Sequence, residues 1–484
     1  MNKLSYLDTT LVFLLVIFSV IPGFFELFEL SLGIFAAIPL ILMMRLSVLD
    51  GSLETRMLSI SYSISQFICW VIGFLGCLYF LSPKGFNIGT YTVVTMVLIN
   101  LVMWGSLVGT LIAEPFKKSQ SKSLNYNEKI KNELTSKGFQ ITGAIFVFFL
   151  VVNYFSGGFF SRQQIGNTME PGTVLYFLSA FSTLQYLFFL FLGFRLNRPL
   201  LNKSNIVNLI IVLFSMLIAS LTGGRGMSIR MLIYTIFGSF YSKLKSKDIK
   251  KIIVISIPFV LFFTIIIGNV RGNLDFSESI NLVTRITLIG KAATGNLEAT
   301  GSDYDDPFYS TFTRIAEPTG QIVIDHVAET GSYIGLRNFE RIATAFMPKI
   351  LSDKEPMDDG GERLRDEYGV YITQFTNAPI TSMADAFERG GYGAVFMFSL
   401  IMSFYLTKLS GYIGRLKKQL LRITLRISFA YTCSVLYAPS ILGCISVVTY
   451  NFIRDALLIW ALIFVLEATT KKIKNVQKKP SKES

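Results

Sequence analysis

Histidine is nearly missing from this chain, with one residue in 484, and cysteine is scarce at four. Cys69 and Cys77 fall in one apolar stretch, Cys433 and Cys444 in another. So few soft or imidazole ligands argue against zinc and iron–sulfur chemistry. The cysteines read as buried small hydrophobes more readily than as a disulfide pair. Charge is thin as well: 16% of residues, against 51% hydrophobic and 43 phenylalanines. At a mean hydropathy of +0.52, a soluble protein has nowhere to hide that apolar surface, whereas a bilayer absorbs it. Disorder, coiled coil and a small secreted scaffold are excluded. The apolar runs are continuous, without period-two alternation, so helices rather than strands carry them.

What is present is a series of such runs. A helix needs about 20 apolar residues to cross the hydrocarbon core, and twelve candidates centre on 9–25, 29–44, 58–81, 89–113, 139–155, 172–194, 205–221, 227–242, 252–270, 390–407, 427–446 and 455–470. The first is no cleaved signal peptide: Pro22-Gly23 interrupts it and another span follows at once. The expected fold class is therefore an all-α polytopic membrane protein. Residues 1–270 hold helices one to nine, 271–389 a large loop, 390–470 helices ten to twelve, and 471–484 a basic tail.

The net charge of +13 raises the question of nucleic acid, and its distribution answers it. With the N-terminus inside, the cytoplasmic stretches hold 29 of the 45 lysines and arginines, and the short connections opposite hold Lys84, Arg162, Arg225, Arg230 and Arg454. That is the positive-inside pattern, with both termini cytoplasmic. Lys471-Lys472-Ile473-Lys474 is then a stop signal beside anionic lipid, and no nucleic-acid partner is expected.

One exterior segment stands apart. Residues 271–389 carry 11 basic and 19 acidic side chains and include His326, the single histidine. Amphipathic helix is expected around 308–328 and 334–350, and Ser352–Gly369, rich in Asp, Glu and Gly, reads as a mobile loop. An ordered loop of this length is usually functional.

Inside the spans ionisable groups are almost absent, which weakens an ion-coupled transporter. At the exterior ends arginines gather. In Thr222-Gly223-Gly224-Arg225-Gly226, glycines permit a sharp hairpin and expose N–H groups beside a guanidinium at a helix start, a combination suited to phosphate. A tight turn with a snorkelling arginine explains the same residues equally well. Arg271, in Asn269-Val270-Arg271-Gly272, stands where the ninth helix ends. Arg314 and Glu317 are three apart, and Arg337, Glu340 and Arg341 follow; each set also reads as a solvated helix face. Bidentate arginine holds phosphate without a metal. The run Ser382-Met383-Ala384-Asp385-Ala386-Phe387-Glu388-Arg389-Gly390-Gly391-Tyr392-Gly393 leads into the tenth helix. Its carboxylates suit a base for an acceptor hydroxyl, or helix-start chemistry alone. His326 on an amphipathic helix reads more often as a half-buried structural residue, and its neutral form is also a proton acceptor at external pH. Asp303-Tyr304-Asp305 before Pro307 fits a solvated turn better than a metal site. No cofactor is expected.

On Thr222-Gly223-Gly224-Arg225-Gly226, the Asp385-x-Phe387 run with Gly390 and Gly393, and the single large late loop, the chain resembles the O-antigen and capsular oligosaccharide repeat-unit polymerases, called Wzy. The resemblance implies a lipid-dependent, GT-C-like glycosyltransferase of the bacterial inner membrane, related in fold to the O-antigen ligases, with its large loop in the periplasm. It implies a donor and an acceptor that are undecaprenyl-pyrophosphate-linked oligosaccharides, and a chain-length regulator as a partner. No metal is implied, and the anomeric carbon inverts. Arg225, Arg271 and Arg314, with Gly224, are then the pyrophosphate-binding residues, and Asp385, Glu317 or His326 supplies the base. A ligase acting on the same donor and a flippase that moves it without bond chemistry are the competing expectations.

Overall fold

The structure is a computed structural model that describes residues 6–24, 26–49, 52–82, 89–113, 128–155, 181–221, 225–242, 244–245, 247–256, 258–259, 287, 290–291, 319–346, 360–369 and 380–477. Among these the chain is helical, without strands. Five helices are long and apolar enough to cross a membrane: Phe28–Leu49, Leu53–Leu81, Thr92–Ile112, Thr135–Val152 and Ser382–Gly414. This is a multi-pass helical membrane protein.

The chain divides into two units, 1–120 with 308–453, and 121–307 with 454–484. In the first, α1 (Tyr6–Phe24), α2 (Phe28–Leu49), α3 (Leu53–Leu81) and α4 (Thr92–Ile112) precede the segment that carries the charges. Two π-helical stretches, Phe67–Gly73 and Cys77–Leu81, lie within α3. The core of this unit includes Trp70, Phe74, Met96 and Met103, with Cys69 and Cys77 buried as free thiols.

Within the second unit, α5 (Glu128–Phe155), α6 (Thr183–Phe194), α7 (Lys203–Leu221) and α8 (Arg225–Ser239) pack together. Phe146 stacks on Phe188 and meets Phe189 edge-on. At the α6–α8 crossing Gly193 faces Gly238, and a Cβ at Gly193 would come 2.8 Å from the Gly238 Cα. Small residues let membrane helices approach backbone to backbone. Arg230, the basic residue inside the expected eighth span, lies with its guanidinium carbon 4.1 Å from the Tyr186 ring centroid.

Back in the first unit follow α9 (Thr319–Thr330), a 3₁₀ stretch Phe339–Phe346, the short α10 (Gly360–Asp366), α11 (Ser382–Gly414), α12 (Gln419–Cys433) and α13 (Ile441–Ser446). A π-helical stretch and α14 (Phe452–Gln477) continue from α13. α4 and α11 cross closely: a Cβ at Gly105 would stand 2.7 Å from the Phe396 carbonyl. Asp325 of α9 accepts the N–H groups of Thr90 and Tyr91 at 2.8 and 3.0 Å. It thereby satisfies backbone donors at the start of α4 and fixes α9 over that end.

Two expectations change. The run 427–446 is not one helix, because α12 stops at Cys433 and α13 starts only at Ile441. Between them Pro439 cannot donate to a helix, and Ser440 caps the next one by accepting the Gly443 N–H at 3.2 Å. The stretch read as a loop up to Gly369 contains α10, whose Leu364 is fully buried.

Candidate functional site

The sequence around 382–393 builds two helical pieces rather than one. Gly391 has φ +68° and ψ −156°, and Gly390 is also non-helical, so α11 breaks there. Only glycine adopts the Gly391 geometry without strain. The break detaches the short helix Ser382–Arg389 from the long membrane helix that follows. Its start is strained too: Thr381, a β-branched residue, sits at φ +70° with no solvent exposure. Thr381 and Ser382 donate their N–H groups to the carbonyls of Ala438 and Tyr437, each at 3.1 Å. Such over-determined strain clusters at functional sites.

This short helix carries Asp385, Phe387, Glu388 and Arg389. Asp385 and Glu388 lie three residues apart and are 0% and 1% exposed. Two carboxylates cannot share so dry a site without cations. Arg363 of α10 supplies one, 2% exposed: its Nη2 donates to Asp385 Oδ1 and its Nη1 to Glu388 Oε2, both at 2.5 Å. Arg389 supplies the second, its Nε 3.0 Å from Asp385 Oδ1. The other Asp385 oxygen accepts the Ile441 N–H at 2.7 Å, which places a carboxylate at the positive end of α13. Glu388 Oε1 accepts the Tyr368 hydroxyl at 2.6 Å. Burial, then this bond to a carboxylate, hold the Tyr368 phenol above the usual tyrosine range.

The remaining donors reach outward. Arg389 Nη1 donates to the Arg337 carbonyl at 2.7 Å, and the Ile334 N–H to the Glu388 carbonyl at 3.0 Å. On the exposed side Arg337 pairs with Glu367 at 3.0 Å and Arg341 with Glu362 at 3.1 Å. The segments 334–341, 360–368, 382–389 and 437–441 thus meet at one charge cluster.

His326 stands beside it. The imidazole is exposed on α9, and its ring meets the Tyr368 ring edge-on at a centroid separation of 5.2 Å. A path therefore runs from a solvent-facing imidazole through Tyr368 to Glu388. Asp385 has Arg363, Arg389 and the Ile441 N–H on its oxygens.

Of the other expected residues, Arg225 is the first residue of α8, in the second unit. Glu317, Arg271, Arg314 and Gly224 lie outside the described residues, as do Asp303 and Asp305. Among the described residues no group of three His, Cys, Asp or Glu side chains is placed to hold a metal ion. Arg363 and Tyr368 were missed by pattern reading, because the partners of Arg363 lie 22 and 25 residues further along the chain. The available signal was Leu364 and Tyr368, four apart, giving this acidic stretch one apolar helix face. No family model, curated protein or solved structure matches this chain.

Proposed function

We propose that this protein polymerises lipid-linked oligosaccharide repeat units at the outer face of a bacterial cytoplasmic membrane. It does so as a metal-independent, inverting glycosyltransferase with twelve spans and cytoplasmic termini. One observation carries the reading: a buried cluster of arginines and carboxylates at a broken membrane helix, with an exposed histidine at its rim. A membrane protein that needed only to stand in lipid would not bury four charges, since replacing such a cluster by apolar side chains is often stabilising.

In this reading His326 takes the proton from the acceptor hydroxyl. The hydroxyl oxygen forms the new bond to the anomeric carbon while the bond from that carbon to the pyrophosphate oxygen breaks. Pyrophosphate leaves on the lipid, its charge held by arginine, with Arg225, Arg271 and Arg314 as the expected contacts. Glu388 holds Tyr368, the imidazole's neighbour, in place, and Arg363 fixes α10 to the short helix. General-base catalysis contributes about 10²–10⁴ in rate, and fixed charges aimed at a leaving group add more.

The test is the purified protein with one synthetic undecaprenyl-pyrophosphate oligosaccharide, products sized by mass. Multimers formed without added metal, and reduced about a hundredfold or more by His326→Gln, support the reading. Unchanged substrate with the folded wild-type protein overturns it in favour of a transport or scaffold role.

A further inference from the structure

The second unit holds a feature that the reaction does not use. Between α5 and α7 lies a groove of about 440 Å³, running from Phe139 to Leu150 on one helix and from Ile210 to Ile218 on the other, with Phe188 at its base. Its lining is almost wholly carbon. On α5 the lining positions fall at 139, 143, 146 and 150, a single helical face. Gly143 keeps the groove open: a Cβ there would stand 3.2 Å from the Phe188 ring. Val147, Ile210 and Phe214 are all more than half exposed, so the groove opens away from the protein along apolar rims.

Length and charge narrow the occupant. From Phe139 to Leu150 the helix rises about 16 Å, close to half of the ~30 Å hydrocarbon core and therefore the depth of one leaflet. One end is basic. The Arg195 guanidinium carbon lies 4.1 Å from the ring centroid of Phe139, which lines that end. Lys137, two residues before Phe139, donates to the Thr469 carbonyl at 3.2 Å, and Lys203 begins α7. Arg198, three residues after Arg195, is matched by Asp248 at 2.7 Å.

We infer that this groove is a binding site for one anionic phospholipid, its tail along α5 and α7 and its head group at Arg195. The chemistry is complementary at both ends: hydrocarbon against rings and branched chains, phosphate against a guanidinium. Such a lipid fills space between two helices that the described residues leave open, so its occupancy stabilises the second unit by mass action.

The experiment uses delipidated full-length protein in detergent, with thermal unfolding followed during titration with phosphatidylglycerol or phosphatidylcholine of identical oleoyl tails. Phosphatidylglycerol is expected to raise the midpoint at about fivefold lower concentration than phosphatidylcholine, the effect of about one basic contact. Arg195→Gln brings the two lipids together and leaves the phosphatidylcholine response unchanged. Gly143→Phe, which fills the groove, abolishes both responses. If that variant does not fold, Phe214→Trp at the exposed rim must weaken both. The inference is overturned if wild-type protein fails to distinguish the two lipids, if Gly143→Phe responds normally, or if undecaprenyl phosphate displaces phosphatidylglycerol at equal concentration. None of these outcomes depends on polymerase activity.

Discussion

The two units solve the same packing problem with opposite materials. The second packs rings and glycines: Phe146 on Phe188, Gly193 against Gly238, and the Arg230 guanidinium over Tyr186. The first packs its helices just as closely at Gly105 but also buries Arg363, Asp385, Glu388 and Arg389. Apolar packing has no directional demand and tolerates exchange, whereas a buried charge cluster is satisfied in one arrangement only. Among the described residues the second unit buries its carboxylates singly, Asp248 beside Arg198 and Asp455 beside Arg454, whereas the first gathers two carboxylates and two arginines in one place.

The sharpest way to break that contrast is Arg363→Ala. It leaves Asp385 and Glu388 facing each other in a dry site, and removing one partner from a buried ion pair costs about 3–5 kcal/mol. Thermal unfolding in detergent should show that loss, and Arg363→Lys should recover only part of it because an ammonium does not reproduce the fork to two carboxylates. A wild-type midpoint in Arg363→Ala would mean that the cluster is not a constraint at all. Next comes Gly193→Ala in the second unit. Its added Cβ meets backbone atoms of α8 that cannot step aside, and overpacking costs about 1–3 kcal/mol. Raising the salt concentration should leave that deficit unchanged, as a purely steric one requires.

These two residues were not equally visible beforehand. Apolar runs located the membrane helices: 29–44 falls within Phe28–Leu49, 58–81 within Leu53–Leu81 and 139–155 within Glu128–Phe155. The Gly390, Gly391 and Gly393 set is compatible with close packing or with a bend, and α11 breaks at Gly390-Gly391. Asp385, Glu388 and Arg389 stood out because they share one short helix. Arg363 did not. Its flanking Asp and Gly residues have low helix propensity and suggest a solvated loop, whereas 360–366 forms a helix with Arg363 and Leu364 buried. The helix break at Ser434–Ser440 was hidden for a similar reason, since Pro439 and the Ser440 cap outweigh a continuous apolar pattern.

A smaller effect separates Tyr368 from the ion pairs around it. Tyr368→Phe removes a hydrogen bond to a carboxylate, worth about 1.5 kcal/mol at a half-buried site. The pH dependence carries the sign. The folded protein holds this phenol protonated above its ordinary range, so the contribution is complete below the unfolded tyrosine value of about 10. It is lost as pH rises beyond that, because the unfolded chain then ionises first. Tyr368→Phe should flatten this alkaline decline relative to wild type; an identical decline would place the ionisation elsewhere.

The smallest effect on stability should come from His326→Gln. The side chain is exposed and, among the described residues, meets the cluster through the Tyr368 ring, and surface substitutions of this kind usually stay within about 0.5 kcal/mol. Its value lies in being small. If His326 accepts a proton from the acceptor hydroxyl, this variant keeps its unfolding midpoint and its Tyr368 titration yet makes no long glycan. Arg363→Ala loses both together. Should His326→Gln polymerise normally, the accessible imidazole is a bystander. The proton then passes to Glu317 or to Asp385, and Asp385, buried in the folded protein, requires α10 to move off the short helix before each transfer.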